Sequence, residues 1–178
     1  MSIWLAGGRI RLWCKGDQLA VKQSNKHSPK SHVWGAISAY GTFVLKVFRQ
    51  NLTEELYTNI LNDCLITHVQ VLYPEGLVLQ EENDPKHTSK VAKTFRESHD
   101  ISRMEWPTFN SDLNPIENLW AWIKHQIDLN PPRNLSELEE TLLSIWDSIE
   151  PEFLKPYWQS VPKRQKLVIQ SNGFKIKY

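Results

Sequence analysis

The chain has 178 residues, 40% of them apolar, enough for one domain with a real hydrophobic core. Its formal net charge of +1 excludes a global basic field of the kind that coats nucleic acid, so any basic face must be local. No apolar run reaches the ~18 residues of a membrane span, and Met1 is not followed by a signal-peptide pattern.

In chain order, residues 9–13 alternate polar and apolar, as a strand with one wet face does, and the polar stretch 15–31 reads as a loop. Residues 33–38 and 42–48 are β-rich runs around Ala39-Tyr40-Gly41, which predicts a hairpin with Gly41 at positive φ. Thr53 caps a helix whose apolar stripe is Leu56, Ile60 and Cys64. Leu77-Val78-Leu79 is wholly apolar, the pattern of a buried parallel strand. A helix over 88–98 is predicted to turn Val91 and Phe95 inward, and residues 101–106 form a strand that Pro107 breaks. Asn114 and Pro115 open a helix burying Ile116, Leu119, Trp120, Ile123 and Ile127, which Pro131-Pro132 stops. Ser136 with Glu139 reads as a capping box for the following helix, lined by Leu138, Leu142, Ile145 and Ile149. The basic tail carries Lys163, Arg164, Lys166, Lys175 and Lys177. Cys14 and Cys64 lack metal-ligand spacing and read as small buried hydrophobes of a reduced intracellular protein. Both Asn-X-Ser/Thr triplets, at Asn51 and Asn134, read as helix caps rather than glycosylation sites.

Two polar segments stand out: Gln-Glu-Glu-Asn-Asp-Pro-Lys-His-Thr-Ser-Lys at 80–90 and Ser-Asp-Leu-Asn-Pro-Ile-Glu-Asn-Leu-Trp at 111–120. Glu82 follows the strand at 77–79, Glu117 lies in the first turn of a helix, and 34 residues separate them. Each feature alone has an ordinary reading. Glu117 suits a capping box with Asn114, residues 81–84 suit a solvated turn, and Lys86 and His87 suit an exposed surface.

Jointly, the two segments resemble those around the second and third metal ligands of DDE transposases of the mariner superfamily, in the Tc-type branch whose third ligand is Glu. Val33-Trp34-Gly35 with Ser38 resembles that family's second-strand motif, and residues 173–178 resemble its C-terminus, so the resemblance spans nearly the whole chain. Pattern alone supports only a mixed α/β fold. The resemblance implies an α/β, ribonuclease-H-like mixed sheet flanked by helices, its first strand mostly missing, with a helical C-terminal extension. It implies one DDE-type domain over 1–178 without an N-terminal helix-turn-helix domain. The implied activity is that of a DNA endonuclease and integrase of transposition, using Mg²⁺ or Mn²⁺. Such chemistry uses carboxylates converging on divalent ions, which activate a nucleophile and stabilise a leaving oxygen. The resemblance makes Glu82 and Glu117 the catalytic and metal-binding residues, with Asn83 and His87 supporting. Lys163, Arg164 and Lys166 are weak candidates for DNA contact. DNA is the implied partner, with a homodimer, a nuclear location, and no membrane or small-molecule substrate.

Four departures from the family pattern matter. The first Asp would fall before Met1, and Asp17 lies in a loop where it cannot substitute. Glu82 stands where the family has Asp; one extra methylene moves the carboxylate by about a bond length, and errors near ~1 Å cost ~10²-fold in a positioned site. Asn110-Ser111 replaces the usual Ser-Pro, and the helix-turn-helix domains are absent. The expectation is weakened metal binding and no catalysis. The alternatives are a domesticated, non-enzymatic DNA- or protein-binding module, or a true start upstream of Met1. A generic ribonuclease H is disfavoured, because residues 114–120 resemble the transposase branch.

Overall fold

The computed structural model describes residues 2–4, 31–68, 77–105, 113–174 and 176. The expected strand at 9–13, most of the loop at 15–31, Cys14, Asp17, Trp106, Pro107, Lys175 and Lys177 lie outside them.

β-Branched and aromatic residues at 32–48 build the expected antiparallel structure in two steps. β2 (His32–Trp34) pairs on one edge with β5 (Lys46–Phe48), Val33 opposite Val47, and on the other with β1 (Ser2–Trp4), Ile3 opposite Val33. Between β2 and β5, β3 (Ile37–Ser38) and β4 (Gly41–Thr42) close the hairpin with Ser38 opposite Gly41. Gly41 has φ +125°, a conformation L side chains rarely adopt.

Thr53 caps α1 (Glu54–Leu61), its Oγ1 accepting from the Leu56 amide at 3.1 Å. The helix continues as a π-helical turn, Asn62–Ile66, that buries Cys64 and Leu65. β6 (Leu77–Leu79) and β7 (Ile101–Arg103) then pair in parallel. Val78 is 59% exposed, so β6 is not the wholly buried strand its composition suggests.

The expected helix over 88–98 is two helices. Asp84 caps α2 (Pro85–Thr88), and Ser89 starts α3 (Lys90–Ser98). The new start rotates the buried face: Ala92 and Arg96 point inward, and Val91 is 40% exposed. Phe95 is half-buried against the core, as expected.

α4 (Pro115–Leu129) buries Ile116, Leu119, Trp120, Ile123 and Ile127 as its periodicity predicts. α5 (Leu135–Asp147) is capped by Asn134, whose Oδ1 accepts from the Glu137 amide at 2.9 Å. Glu137 reaches back to the Arg133 amide at 2.8 Å. The Ser136–Glu139 capping box is therefore displaced by two residues, and Glu139 instead binds Arg49 at 3.0 Å and Ser31. α6 (Pro151–Gln170) contains Pro156 and Pro162 within its length.

The alternation of β2 divides the core. Val33 packs into a cluster with α4 and α5 that includes Trp120, Ile123, Leu142 and Trp146. Its neighbour Trp34 joins Tyr57, Ile60, Leu61 and Ile101 on the other face. Helices thus cover both faces of the strands, a layered α/β arrangement.

Candidate active site

The two polar segments meet at the C-terminal end of β6 and the N-terminus of α4. Gln80 Nε2 donates to Asn114 Oδ1 at 3.2 Å, tying the loop after β6 to the residue that opens the helix. The Asn114 side chain is spent there and makes no cap hydrogen bond to α4. The capping-box reading of Glu117 does not hold, and its carboxyl turns to Glu82 instead. Burial raises the Glu117 carboxyl above its ordinary pKa; the adjacent Glu82 charge and a side-chain hydrogen bond with Glu82 raise it further. A cavity of about 480 Å³ opens beside Glu82, bordered by Trp34, Tyr57, Leu79 and Asn114.

Residues 81–84 are not a solvated turn. Leaving a strand, successive side chains alternate sides, so Glu82 reaches the site and Glu81 points inward, with its side chain 4% exposed. Glu81 Oε1 accepts from Arg96 Nη1 at 2.9 Å and Arg103 Nε at 2.8 Å, and Tyr57 Oη donates to Oε2. Tyr57 is held protonated, its pKa raised chiefly by burial and then by the Glu81 charge.

Asn83 and His87 do lie beside the site. Asn83 Oδ1 accepts from Arg103 Nη2 at 2.7 Å. His87 is buried, its ring 4.4 Å from Tyr57, with Nδ1 3.2 Å from the Glu82 carbonyl. A carbonyl only accepts, so Nδ1 carries the proton. Burial holds the His87 imidazole neutral, with a pKa of about 4. Lys86 pairs with its neighbour Asp84 at 3.3 Å.

The basic candidates separate. Lys163 and Lys166 are exposed on α6, whereas Arg164 is 4% exposed and donates to Asn118 Oδ1 at 2.7 Å. Gln80, Glu81, Arg96 and Arg103 escaped sequence reasoning. Only strand alternation at Glu81 signals that one of two adjacent glutamates must face inward.

Two neighbouring carboxyls offer oxygen donors of the kind that suit Mg²⁺ or Mn²⁺. Among the described residues, no group of three or more His, Cys, Asp or Glu side chains is placed to hold a metal ion. No helix among them is long and apolar enough to cross a membrane.

The family described as DDE superfamily endonuclease matches residues 5–139. The Tcb2 transposase of Caenorhabditis briggsae is 30% identical over 167 residues, 93% of this chain and 61% of that protein. The Tc1 transposase of Caenorhabditis elegans is 27% identical over 190 residues, covering 99% and 70%. The chain therefore spans somewhat over half the length of such relatives, 61% of Tcb2 and 54% of Tcb1. Among solved structures, the Mos1 transposase catalytic domain with raltegravir and Mg is similar with a TM-score of 0.76 at 16% identity, over 83% of this chain and 78% of that one. The Mos1 mariner paired-end complex with Mn gives 0.82 at 16%, over 99% and 55%. The fold is thus the ribonuclease-H-like fold of that catalytic domain. With the matched family over most of its length, the chain belongs to the DDE superfamily endonucleases, and its relatives are transposases of the Tc1/mariner type.

Proposed function

We infer that this chain is, by descent, the strand-cleaving domain of a DNA transposase, and that in its present form it binds a divalent cation weakly and no longer cleaves DNA. The observation that carries the reading is the convergence of the two segments, tied by Gln80 and Asn114 at 3.2 Å, which brings Glu82 near enough to Glu117, with 34 residues between them, to raise its pKa. Glu117 stands in the first turn of a helix, and Glu82 in the loop after β6, which His87 and Arg103 hold by its backbone. A bound Mg²⁺ or Mn²⁺ would supply Lewis acidity, activating water and stabilising a leaving oxygen. Glu82 and Glu117 would hold it, and neutral His87 with Arg103 would hold the Glu82 backbone.

Loss of cleavage rests on two features. Glu82 is one methylene longer than the Asp of the family, and among the described residues no third acidic or imidazole group joins the pair. DNA as partner, pairing of two copies, a nuclear site of action and a single domain follow from the same reading. The fold neighbours solved as a Mos1 paired-end complex with left transposon end, and with Mn or Mg, support the first and the cation.

The test is incubation of the purified chain with a nonspecific duplex in Mn²⁺ beside Glu117→Gln. We expect no cleavage by either; cleavage by the parent chain that Glu117→Gln removes would overturn the loss of activity. A second reading, a DNA-binding module without chemistry, is favoured by Lys163 and Lys166, exposed three residues apart on α6. It predicts DNA affinity that survives chelation of divalent ions and falls steeply with salt.

A further inference from the structure

Four separate elements converge on the single loop that carries Glu82. Tyr57 comes from α1, His87 from α2, Arg96 from α3 and Arg103 from β7, and Glu81 stands at their centre. The bonds form two tiers. In the inner tier, Glu81 Oε1 accepts from both guanidinium groups, and Arg96 Nη1 also donates to the His87 carbonyl at 2.8 Å. In the outer tier, Arg103 Nη2 donates to the Glu82 carbonyl at 3.3 Å and to Asn83 Oδ1 at 2.7 Å, while His87 Nδ1 holds that same Glu82 carbonyl.

We propose that Arg103, oriented by Glu81, is a positioning residue that sets the direction of the Glu82 carboxylate toward Glu117. The proposal rests on the reading of Glu82 and Glu117 as cation ligands. A loop held only by its own backbone would let a long Glu side chain sweep a wide volume. Here the Glu82 carbonyl is held by two donors and the next side chain by a third bond, which fixes the point and bond direction from which the Glu82 side chain departs. The Arg103 fork does this because it spans two jobs at once: Nε binds Glu81 while Nη2 grips the loop. Lysine, a single point charge, can keep the ion pair but cannot reach both. Groups that orient metal ligands from behind typically alter metal affinity about 10- to 100-fold when removed.

The test measures Mn²⁺ binding directly, by loss of the free-ion electron paramagnetic resonance signal, on the parent chain, Arg103→Lys, Arg103→Met and Glu117→Gln. Circular dichroism melting fixes the folded fraction of each. We expect Glu117→Gln to abolish binding and Arg103→Lys, still folded, to weaken it about tenfold or more; Arg103→Met should weaken it as much and melt lower. Were Arg103 merely structural, Arg103→Lys would keep the ion pair with Glu81 and bind Mn²⁺ like the parent, and that result overturns the proposal while leaving the cation site intact. Absence of Mn²⁺ binding by the parent, or binding undiminished in Glu117→Gln, overturns the cation-site reading itself and the positioning role with it.

Discussion

His87 illustrates how a residue that reads as surface becomes a buried, neutral support. Its Nδ1–H is committed to the Glu82 carbonyl, and its Nε2 has no hydrogen-bond partner among the described residues, which offer a second proton no acceptor. The linkage follows. With a folded pKa of about 4 against about 6.5 unfolded, the unfolded chain binds a proton that the native chain refuses between those values. Stability is therefore full above pH ~6.5 and falls as pH drops through the window toward 4, by on the order of 3 kcal/mol at most. His87→Asn, which keeps a donor near Nδ1 but does not titrate, should flatten that part of the profile. Denaturant melts at pH 7 and pH 5 on both proteins would check it, and parallel slopes would refute it. Gly35 makes a second residue-scale point: a Cβ there would lie 2.6 Å from the ring of Trp146, which is itself packed and cannot withdraw cheaply. Gly35→Ala should cost about 1–3 kcal/mol in an equilibrium unfolding experiment.

At the scale of elements, periodicity located α4 and its five buried residues because a 15-residue helix offers several turns of pattern to read. Shorter elements were misjudged where one start signal competed with another. Asn134 and Ser136 both suit a helix cap; Asn134 wins because its side chain reaches the Glu137 amide while Glu137 closes the box on Arg133. Asn134→Ala should destabilise by about 1 kcal/mol, and Ser136→Ala should stay within about 0.5 kcal/mol, as thermal melts can resolve. Likewise Ser89 restarts the helix after Asp84 has already capped a short one, and the shift of phase brings Arg96 rather than Val91 inward. No local signal announces a buried arginine. Its partner, Glu81, is 15 residues away, and only their meeting makes either burial tolerable.

Across the whole molecule, Trp146 joins helix layer to strands. Its indole Nε1 donates to the Phe43 carbonyl at 2.6 Å, and its ring stacks on Trp120 at 5.2 Å. Trp146→Phe would leave that buried carbonyl unpaired and should cost about 1–3 kcal/mol beyond any lost packing, measurable by chemical denaturation. If Glu82 and Glu117 bind Mn²⁺, millimolar Mn²⁺ should raise the melting temperature of the parent chain and not of Glu117→Gln, since a ligand stabilises only the state that binds it. The hairpin with Gly41, the cap at Thr53, the long helix after Asn114 and the two acidic motifs are legible in the sequence, because each is written in residues close together along the chain. Tertiary structure alone decided that Glu81 is buried between Arg96, Arg103 and Tyr57, that Asn114 binds Gln80 instead of capping its helix, and that Arg164 turns inward to Asn118. Those outcomes depend on partners 15 to 46 residues away. The free energy of a buried charge or amide is set by the partner it meets, and a local sequence pattern does not contain that partner.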